Sequence, residues 1–443
     1  MRKVVKFGGS SLADSHQFEK VGNIIRADAS RVYVVPSAPG KRFSGDRKVT
    51  DLLYDAYRAA SEGAGSGAVD AVLGKIRARY AEIIEGLGLG EFFLGADFDE
   101  IRKNLLEAPE KDYVASRGEY LNGRIMARYL GYEFLDAKDV IFFDGDGRLD
   151  AGKTNDVLSG RLEAMPNAVI PGFYGCGADG RVKTFSRGGS DITGSIVARA
   201  AGADVYENWT DVSGFMVADP RIVANPQSID TITYRELREL SYMGASVLHE
   251  DAIFPVRHAG IPINIRNTNE PDAAGTWIVE STARQPKYTI TGIAGKKDFC
   301  SVLISKALMN SEIGFYRRVS QAFEDHGVSV EHMPSGIDTM TVVVHESEFL
   351  NKEQQVVSEI HRQCSPDSIE IDSGLALIAV VGRGMKSTRG TAGRIFSALA
   401  HAHVNVRMID QGSSELNIII AVDNQDFETA IRAIYDIFVT TQL

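Results

Sequence analysis

The chain has 443 residues, and its 48 lysines and arginines against 59 aspartates and glutamates give a formal net charge of −11. This acidic balance disfavours a general nucleic-acid binder, because affinity for a phosphate backbone comes mainly from clustered cationic side chains. An apolar fraction of 44% excludes wholesale disorder, and no apolar run approaches the roughly 18 residues that a bilayer span requires. We therefore expect a cytoplasmic protein of about two to four domains that binds neither nucleic acid nor membrane.

Cysteine usage supports the same compartment. Cys176, Cys300 and Cys364 are widely separated and odd in number, which suits a reducing environment. Their spacing predicts neither a disulfide framework nor a zinc site, and no metal site built from protein side chains is expected.

The first 60 residues alternate short apolar runs with helical periodicity, which is typical of a largely parallel sheet. Residues 52–130 are predicted to be mostly helical and to cover one face of that sheet. These elements predict one α/β catalytic domain over residues 1–283, an α/β sandwich with a mostly parallel central sheet. The predicted strands are 4–7, 32–35, 140–143, 168–170, 205–208 and 261–265.

Beyond residue 283 the predicted elements are shorter and follow the order β-α-β-β-α-β. One complete set is predicted over residues 299–372, whereas a second set over 375–443 lacks one strand, and a single strand at 288–294 is left over. Because an unpaired sheet edge is costly, we expect the 288–294 strand to complete the second set. The prediction is two ferredoxin-like modules side by side, with the first inserted in the second.

The strongest local motif, Lys6-Phe7-Gly8-Gly9-Ser10-Ser11, lies between the first predicted strand and the first predicted helix. Two glycines let backbone N–H groups approach an anion, and a following helix adds partial positive charge. Lys6 could reach a phosphoryl group as a point charge. The alternative is an ordinary glycine turn in which a serine caps the helix.

Two further polar clusters favour the first interpretation. Arg187-Gly188-Gly189-Ser190-Asp191 precedes a predicted helix, and Trp209-Thr210-Asp211-Val212-Ser213-Gly214 follows the strand at 205 and leads to Arg221. An arginine offers a fork for a carboxylate, and an aspartate in a first helical turn can orient a lysine. Since open α/β sheets bind ligands at strand ends, we expect both clusters to join Lys6 in one site.

A competing motif lies at Gly147-Arg148-Leu149-Asp150-Ala151-Gly152-Lys153-Thr154, which satisfies the G-x-x-x-x-G-K-[ST] pattern of a P-loop. No strand leads directly into it, and acidic Asp150 would lie inside the phosphate cradle. A hairpin or surface turn is the favoured interpretation.

Taken together and in this order, the motifs resemble the aspartate kinases of the amino-acid kinase superfamily, and the C-terminal part resembles their paired ACT domains. The resemblance implies that Lys6 binds phosphate and is positioned by Asp191, that Glu119 pairs with a substrate ammonium group, and that Arg187 binds a substrate carboxylate. The implied catalytic residues are Lys6, Asp191, Arg187 and Glu119. The implied nucleotide-binding residues are Lys6, Gly8, Gly9, Ser10, Thr210, Asp211, Met216, Arg221, Ser246 and Val247. The implied substrate-binding residues are Thr50, Glu119, Arg187 and Ser190.

The activity implied by this resemblance is transfer of a phosphoryl group from ATP to the side-chain carboxylate of L-aspartate. It would give 4-phospho-L-aspartate, on the route to lysine, threonine and methionine, with Mg²⁺ held mainly through the ATP phosphates. An aspartate carboxylate is already ionised at neutral pH, so the reaction needs no general base. The enzyme must align two anions and compensate their repulsion.

The resemblance also implies regulation by an effector amino acid, which we expect to be lysine, bound by the ACT domains. Glu331 would pair with the effector ammonium group. The alternatives are that Glu331 is an ordinary exposed strand residue and that Met309 belongs to the apolar core. Pairing of module edges between chains would give a homodimer or a dimer of dimers. The implied effector residues are Met309, Gly314, Phe315, Tyr316, Glu331 and Ser335.

Two other functions stay open at this stage. One is an acyl-phosphate-forming kinase for another amino acid, such as glutamate. The other is an amino-acid sensor with a decayed catalytic half, suggested by Ser246 at a position where the family often has lysine. Met216, where the family often has tyrosine, can still pack on a base.

Overall fold

The computed structural model describes residues 1–186, 188–245, 248, 252–282 and 287–440, and the chain divides into two units. The first unit contains the described residues of Met1–Phe215, Ser228–Tyr234 and Val247–Thr282. The second contains those of Met216–Gln227, Arg235–Ser246 and Ala283–Leu443. Two short segments from the first 283 residues therefore group with the C-terminal part.

The first unit is built on a mostly parallel sheet with the strand order β3-β4-β2-β1-β7-β9-β10-β8. All its neighbouring strands are parallel except β9 and β10. A separate antiparallel hairpin is formed by β5 and β6. The strands are β1 (Lys3–Phe7), β2 (Arg31–Pro36), β3 (Glu133–Phe134), β4 (Ala168–Val169), β5 (Tyr174–Cys176), β6 (Val182–Thr184), β7 (Val205–Thr210), β8 (Thr231–Thr233), β9 (Ile263–Asn267) and β10 (Thr276–Val279).

The region predicted to be helical is confirmed as four helices, α2 to α5. They and α1 bury the apolar cluster that includes Val5, Phe7 and Trp209. Asp14 begins α1 by accepting a hydrogen bond from the backbone N–H of Gln17. The helices up to residue 282 are α1 (Ser15–Arg26), α2 (Val49–Ser61), α3 (Ser66–Gly86), α4 (Gly95–Glu107), α5 (Lys111–Leu130), α6 (Ala151–Glu163), α7 (Gly189–Ala200), α8 (Tyr234–Tyr242) and α9 (Phe254–His258).

The strand predicted at 140–143 is wrong. Its backbone makes only isolated bridges, because the Phe142 N–H donates to the Thr154 hydroxyl at 2.9 Å and the Phe143 N–H donates to the Cys176 carbonyl at 2.8 Å. An apolar run alone does not distinguish a strand from a segment whose hydrogen bonds go to a helix side chain and a hairpin.

The P-loop-like motif forms the turn that its Asp-Gly residues indicate. The Gly147 N–H donates to the Asp144 carbonyl at 3.0 Å, and Gly147 has φ 75°. Asp150 then caps α6 by accepting from the Lys153 N–H at 3.0 Å. A carboxylate therefore occupies the helix N-terminus that a P-loop would offer to phosphate.

The second unit contains one antiparallel sheet with the strand order β12-β13-β11-β14-β16-β15. Its strands are β11 (Gly292–Ser305), β12 (Val330–His332), β13 (Thr339–His345), β14 (Ser368–Val381), β15 (Met408–Asp410) and β16 (Asn417–Asp423). Its further helices are α10 (Phe315–Asp325), α11 (Glu346–Phe349), α12 (Glu353–Cys364), α13 (Thr391–His401) and α14 (Phe427–Tyr435), followed by a π-helical segment at Asp436–Thr440.

The strand predicted at 288–294 is present from residue 292, where Gly292–Ala294 pair with residues 379–381 of the second predicted set as expected, but it is not a separate strand. The structure has one long strand, β11, from 292 to 305, and one long strand, β14, from 368 to 381, where pairs of shorter strands were expected. The two pair along their length across a register irregularity between Lys296 and Phe299, near Asp298 with φ 69°. The polar residues Lys297 and Asp298 fall within this irregularity, which interrupts the regular register without ending β11. The module boundaries in the sequence analysis stay a prediction.

Candidate active site

Lys6 lies at the end of β1 on the face of the sheet against which α7 packs. Side chains alternate along a strand, so Val5 and Phe7 enter the opposite core, and Lys6 points with its register partner Asn208 toward α7. Its Nζ lies 2.5 Å from Oδ1 of Asp191, in the first turn of α7. The predicted pairing of Lys6 with Asp191 is present in the structure.

Asn208 is a site residue that the sequence analysis missed. Its Nδ2 donates to the same Asp191 oxygen at 2.8 Å, and only 3% of Asn208 is exposed. The amide therefore fixes the carboxylate from a second direction. Its position one strand from Lys6 could have been found by pairing the ends of β1 and β7.

The turn after β1 is built for close backbone approach. The Gly8 N–H donates to the Trp209 carbonyl at 2.9 Å, and the Gly40 N–H donates to the Gly9 carbonyl at 2.8 Å. A Cβ added at Gly9 would lie 2.8 Å from the Ala38 carbonyl oxygen, and one at Gly40 would lie 2.6 Å from the Gly9 carbonyl carbon. Two glycines are therefore required where the strand-end loops meet.

The structure does not contain the alternative predicted for this turn, a helix capped by a serine. Residues Gly9–Leu12 form a short 3-10 turn that contains Ser10 and has no side-chain cap, and α1 begins at Ser15 with Asp14 as its cap. The hydroxyl of Ser11 is instead buried 2.8 Å from that of Thr268. The Gly8-Gly9-Ser10 segment is therefore a turn beside the Lys6 ammonium group.

Glu119 is a buried carboxylate on α5. It is 5% exposed, accepts a hydrogen bond from the backbone N–H of Ala38, and has a buried Oε2 without a hydrogen-bond partner among the described residues. Burial raises the pKa of Glu119 to about 8, against the opposing effects of backbone hydrogen bonds and Arg117. An unpaired buried carboxylate is suited to receive a cationic ligand group.

This raised pKa predicts a pH-dependent stability in the absence of ligands. The folded protein keeps a proton on Glu119 that the unfolded chain releases above about 4.5, its ordinary pKa. The contribution of this group to the free energy of unfolding is therefore full below 4.5 and is lost as pH rises toward 8, at up to about 1.4 kcal/mol per pH unit.

We expect Glu119→Gln to remove that slope, because an amide does not titrate. Urea unfolding of the wild type and the variant should diverge between pH 5 and pH 7.5, with the variant gaining relative stability. Parallel stability curves for the two proteins would contradict the raised pKa.

Thr50 and Ser190 lie beside these groups. Thr50 is in the first turn of α2, where its Cγ2 is 3.8 Å from a Cβ added at Gly118, the neighbour of Glu119. Ser190 is in the first turn of α7, next to Asp191 and packed against Gly172. The structure thus places Thr50 beside the residue that precedes Glu119, and Ser190 directly before the residue that pairs with Lys6.

The remaining predicted residues are not all described. Thr210 ends β7, and its hydroxyl donates to Asp211 at 3.2 Å. Met216 and Arg221 belong to the second unit, where Arg221 pairs with Asp219 at 2.5 Å. Arg187, Ser246 and Val247 lie outside the described residues.

Comparison with known proteins supports the same interpretation. Residues 1–267 match the profile of the amino acid kinase family, and residues 378–438 match that of an ACT domain. The chain is 41% identical over 453 residues to aspartokinase 3 of Bacillus subtilis, with 98% of each chain covered. The chain belongs to the aspartokinase family. The predicted fold class and the predicted enzyme, an aspartate kinase, are thereby confirmed.

Solved aspartokinase structures share the fold over nearly the whole chain. The aspartate kinase of Clostridium acetobutylicum, described as an allosteric enzyme, is 52% identical with a TM-score of 0.88, covering 98% of this chain and 99% of that one. Aspartokinase III of E. coli, solved with lysine and aspartate, is 25% identical with a TM-score of 0.72, covering 98% of this chain and 99% of that one.

The residues of this chain that were expected to bind an effector differ in burial. Met309 and Phe315 are fully buried in the core around α10, which corresponds to the packing alternative for Met309. Tyr316 and Ser335 are exposed, and Gly314 begins α10 with φ 81°. These positions describe a surface loop and helix start above an apolar core.

Glu331 of this aspartokinase already has a partner. Its Oε2 accepts a hydrogen bond of 2.5 Å from the hydroxyl of Tyr242, which follows from α8 belonging to the second unit. Burial and the adjacent Glu331 raise the pKa of Tyr242. An ammonium group that bound Glu331 would therefore compete with Tyr242.

Proposed function

We propose that the chain catalyses ATP-dependent phosphorylation of the side-chain carboxylate of L-aspartate at the site formed by Lys6, Asp191 and Glu119. The observation that carries this proposal is the pairing of Lys6 with Asp191 beside the Gly8–Gly9 turn. The Ser37–Gly40 loop touches that turn on one side and Glu119 on the other. Groups suited to phosphate and to an ammonium ion thus flank one loop.

Lys6 would stabilise the transferring phosphoryl group. A buried cation aimed at the phosphoryl oxygens offsets the negative charge that two reacting anions bring together. Asp191 and Asn208 hold the Lys6 ammonium group in place, which limits its motion before ATP binds. The attacking carboxylate is ionised, so no protein base is required.

Glu119 would bind the substrate ammonium group, with Thr50 beside it. The buried Oε2 without a described partner would gain a charge-assisted hydrogen bond on binding. Carboxylate binding by Arg187 and the role of Ser190 remain proposals that rest on the family resemblance, as do the nucleotide-binding roles of Thr210, Asp211, Met216, Arg221, Ser246 and Val247.

Magnesium would accompany ATP. Among the described residues no group of three or more His, Cys, Asp or Glu side chains is arranged to hold an ion. The ion would be held mainly by the phosphate oxygens of ATP, with water as a further ligand. When bound, it would neutralise charge on the ATP phosphates.

The reaction is tested by measuring ADP release with aspartate, with glutamate and with no amino acid. Release that depends on aspartate, together with trapping of the acyl phosphate by hydroxylamine, would support the proposal. Equal release with glutamate would favour the alternative kinase, and no release with either would favour the sensor.

Lysine is the proposed effector. The E. coli relative was solved with lysine and aspartate, and Glu331 is a partly exposed carboxylate in the ACT region. An effector inhibits only if it binds one conformation better than another. Lysine would therefore favour a conformation of lower activity.

We expect lysine to inhibit the wild type and Glu331→Ala to raise the half-inhibitory lysine concentration by about tenfold or more, the worth of a hydrogen bond between charged groups. Glu370→Ala, an exposed carboxylate on β14, is the matched control and should leave inhibition unchanged. Tyr242→Phe separates loss of the Tyr242 hydrogen bond from loss of the carboxylate. Unchanged inhibition in Glu331→Ala would count against this effector site.

The proposed oligomer is a homodimer or a dimer of dimers formed through the ACT region. An apolar patch there supports it: Ile313 is 97% exposed, Leu308 72% and Ile337 69%. The Asn310 N–H donates to the Ile337 carbonyl at 3.1 Å, so these residues are neighbours. A patch of this kind is typical of a protein–protein contact, and a second copy is the occupant we propose.

The proposed location is the cytoplasm. Cys176, Cys300 and Cys364 are all free thiols, which suits a reducing compartment. In the part of the chain that the structure describes, no helix is both long and apolar enough to cross a bilayer.

A further inference from the structure

The Ser37–Gly40 loop connects the parts of the proposed site. At its end, Gly40 approaches Gly9 so closely that neither position has room for a side chain. In its middle, Ala38 donates its N–H to Glu119. A shift of this loop would therefore move the phosphate side and the ammonium side together.

The same loop also sets the start of α2. The N–H of Val49, the first residue of α2, donates to the Pro39 carbonyl at 3.1 Å. Thr50 follows in the same turn. The substrate side of the site thus depends on where residues 37–40 lie.

Arg79 of α3 binds this region through all three nitrogens of its guanidinium group. Nη2 donates to the Gly40 carbonyl at 2.7 Å, and Nε donates to the Ala13 carbonyl at 3.1 Å, just after the Gly9–Leu12 turn. Nη1 lies 2.7 Å from Oδ2 of Asp46. Arg79 is only 6% exposed.

Asp46 extends the same connection toward α2. It lies in the segment between Gly40 and the first residue of α2, and it also accepts from the backbone N–H of Arg42 at 3.0 Å. Hydrogen bonds from Arg42, followed by those from Arg79 and the backbone, hold the pKa of Asp46 well below its usual range. The buried Arg79 charge is therefore neutralised by a carboxylate that stays ionised.

We propose that Arg79 is a positioning residue that holds the Gly8–Gly9 turn, the Ser37–Gly40 loop and the start of α2 in the arrangement that binds the phosphates of ATP and aligns aspartate. Two carbonyls and one carboxylate, one from Ala13 just after the Gly9–Leu12 turn and two from the connection between β2 and α2, are satisfied at once by a planar fork. A lysine has a single ammonium centre and cannot reach all three acceptors in these directions. This inference rests on the proposed ATP and aspartate site.

A purely structural role predicts a different result. Arg79 would then affect the fraction of folded protein and its melting temperature, while the folded fraction kept wild-type kinetics. A positioning role predicts altered kinetics and phosphate affinity in protein that is fully folded.

The test uses Arg79→Lys, with Arg77→Lys as the matched control. Arg77 lies on the same helix, is exposed, and has its guanidinium 5.1 Å from the centre of the Phe98 ring. We expect Arg79→Lys to raise the ATP KM and the ADP dissociation constant by about tenfold and to lower kcat, with adenosine affinity unchanged. Arg77→Lys should match the wild type in every measurement.

A second variant guards against failure to fold. Arg79→Ala leaves space for a guanidinium ion, so low millimolar guanidinium should restore part of the lost ADP affinity in this variant and not in Arg77→Ala. In the double variant Asp46→Asn/Arg79→Lys, the loss of ADP binding free energy should be smaller than the sum of the losses in the two single variants.

The outcomes distinguish a failure of the positioning role of Arg79 from a failure of the proposed function. If Arg79→Lys is folded and binds ADP as tightly as the wild type, the positioning role is overturned while the proposed function stands. If the wild type itself fails to bind ADP, the proposed function is overturned first. Equal loss of adenosine and ADP affinity in Arg79→Lys would also overturn the positioning role, because it would indicate general disruption.

Discussion

Replacing Lys6 with alanine should lower kcat by about a hundredfold to a thousandfold, the usual cost of removing a charge-stabilising group from a transition state. Nucleotide affinity should fall less, because backbone groups of the Gly8–Gly9 turn remain. The ion pair with Asp191 is lost at the same time, so Asp191→Asn should have a smaller effect in the same direction. Steady-state ADP release and ADP binding measure the two effects separately.

Lys153→Ala is the matched control for this prediction. Lys153 is the lysine of the P-loop-like motif, and its Nζ lies 4.0 Å from the centre of the Phe142 ring on the surface. We expect wild-type kcat in this variant. A kcat near wild type in Lys6→Ala, or a collapse of kcat in Lys153→Ala, would show that the phosphate site has been placed at the wrong lysine.

The second large effect concerns the pH dependence of aspartate binding. Glu119 must be ionised to pair with the substrate ammonium group, whereas burial raises its pKa to about 8 in the empty site. The ionised fraction then rises about tenfold per pH unit below that value, and apparent affinity is reduced by the fraction of protein that is competent. We expect the aspartate KM to fall by about tenfold per unit from pH 5.5 to 7.5.

Glu119→Gln should abolish this dependence and raise the aspartate KM at pH 7.5 by about tenfold to a hundredfold, because a charge-assisted hydrogen bond is lost. Glu107→Gln, on the exposed surface of α4, should behave as the wild type does. A KM that stays constant with pH in the wild type would remove Glu119 from the ammonium site, even if the variant were inactive.

The helices α2 to α5 and five strands of the central sheet could be predicted because their signals are local, whereas the strands β3, β8 and β10 were missed. Short apolar runs mark β1 and β2, and helical periodicity marks α2 to α5; each signal needs only a few neighbouring residues. The predicted strand at 140–143 failed for the same reason. Its apolar residues look like a strand, but Thr154 and Cys176 take its hydrogen bonds, and no local pattern reports partners that distant.

The candidate catalytic residues Lys6 and Asp191 and their pairing could be proposed from sequence, but the residues that hold them in place could not. Lys6 and Asp191 stand out as a lysine at a strand end and an aspartate at a helix start. Asn208 and Arg79 carry no motif. They matter because β7 lies beside β1 and because Arg79 of α3 reaches two connecting segments that are distant from it in sequence, which are properties of the folded chain.

Sequence by itself determined the residue types at the site, the order of its motifs and the mostly parallel class of the sheet, because local turns and periodic apolar residues encode all three. Tertiary structure decided that the Glu119 carboxylate is buried, that the Asn208 amide orients Asp191, and that Glu331 pairs with Tyr242. The physical reason is that a pKa and a hydrogen-bond partner depend on burial and on contacts between segments far apart in the chain. Those contacts exist only after the chain has folded.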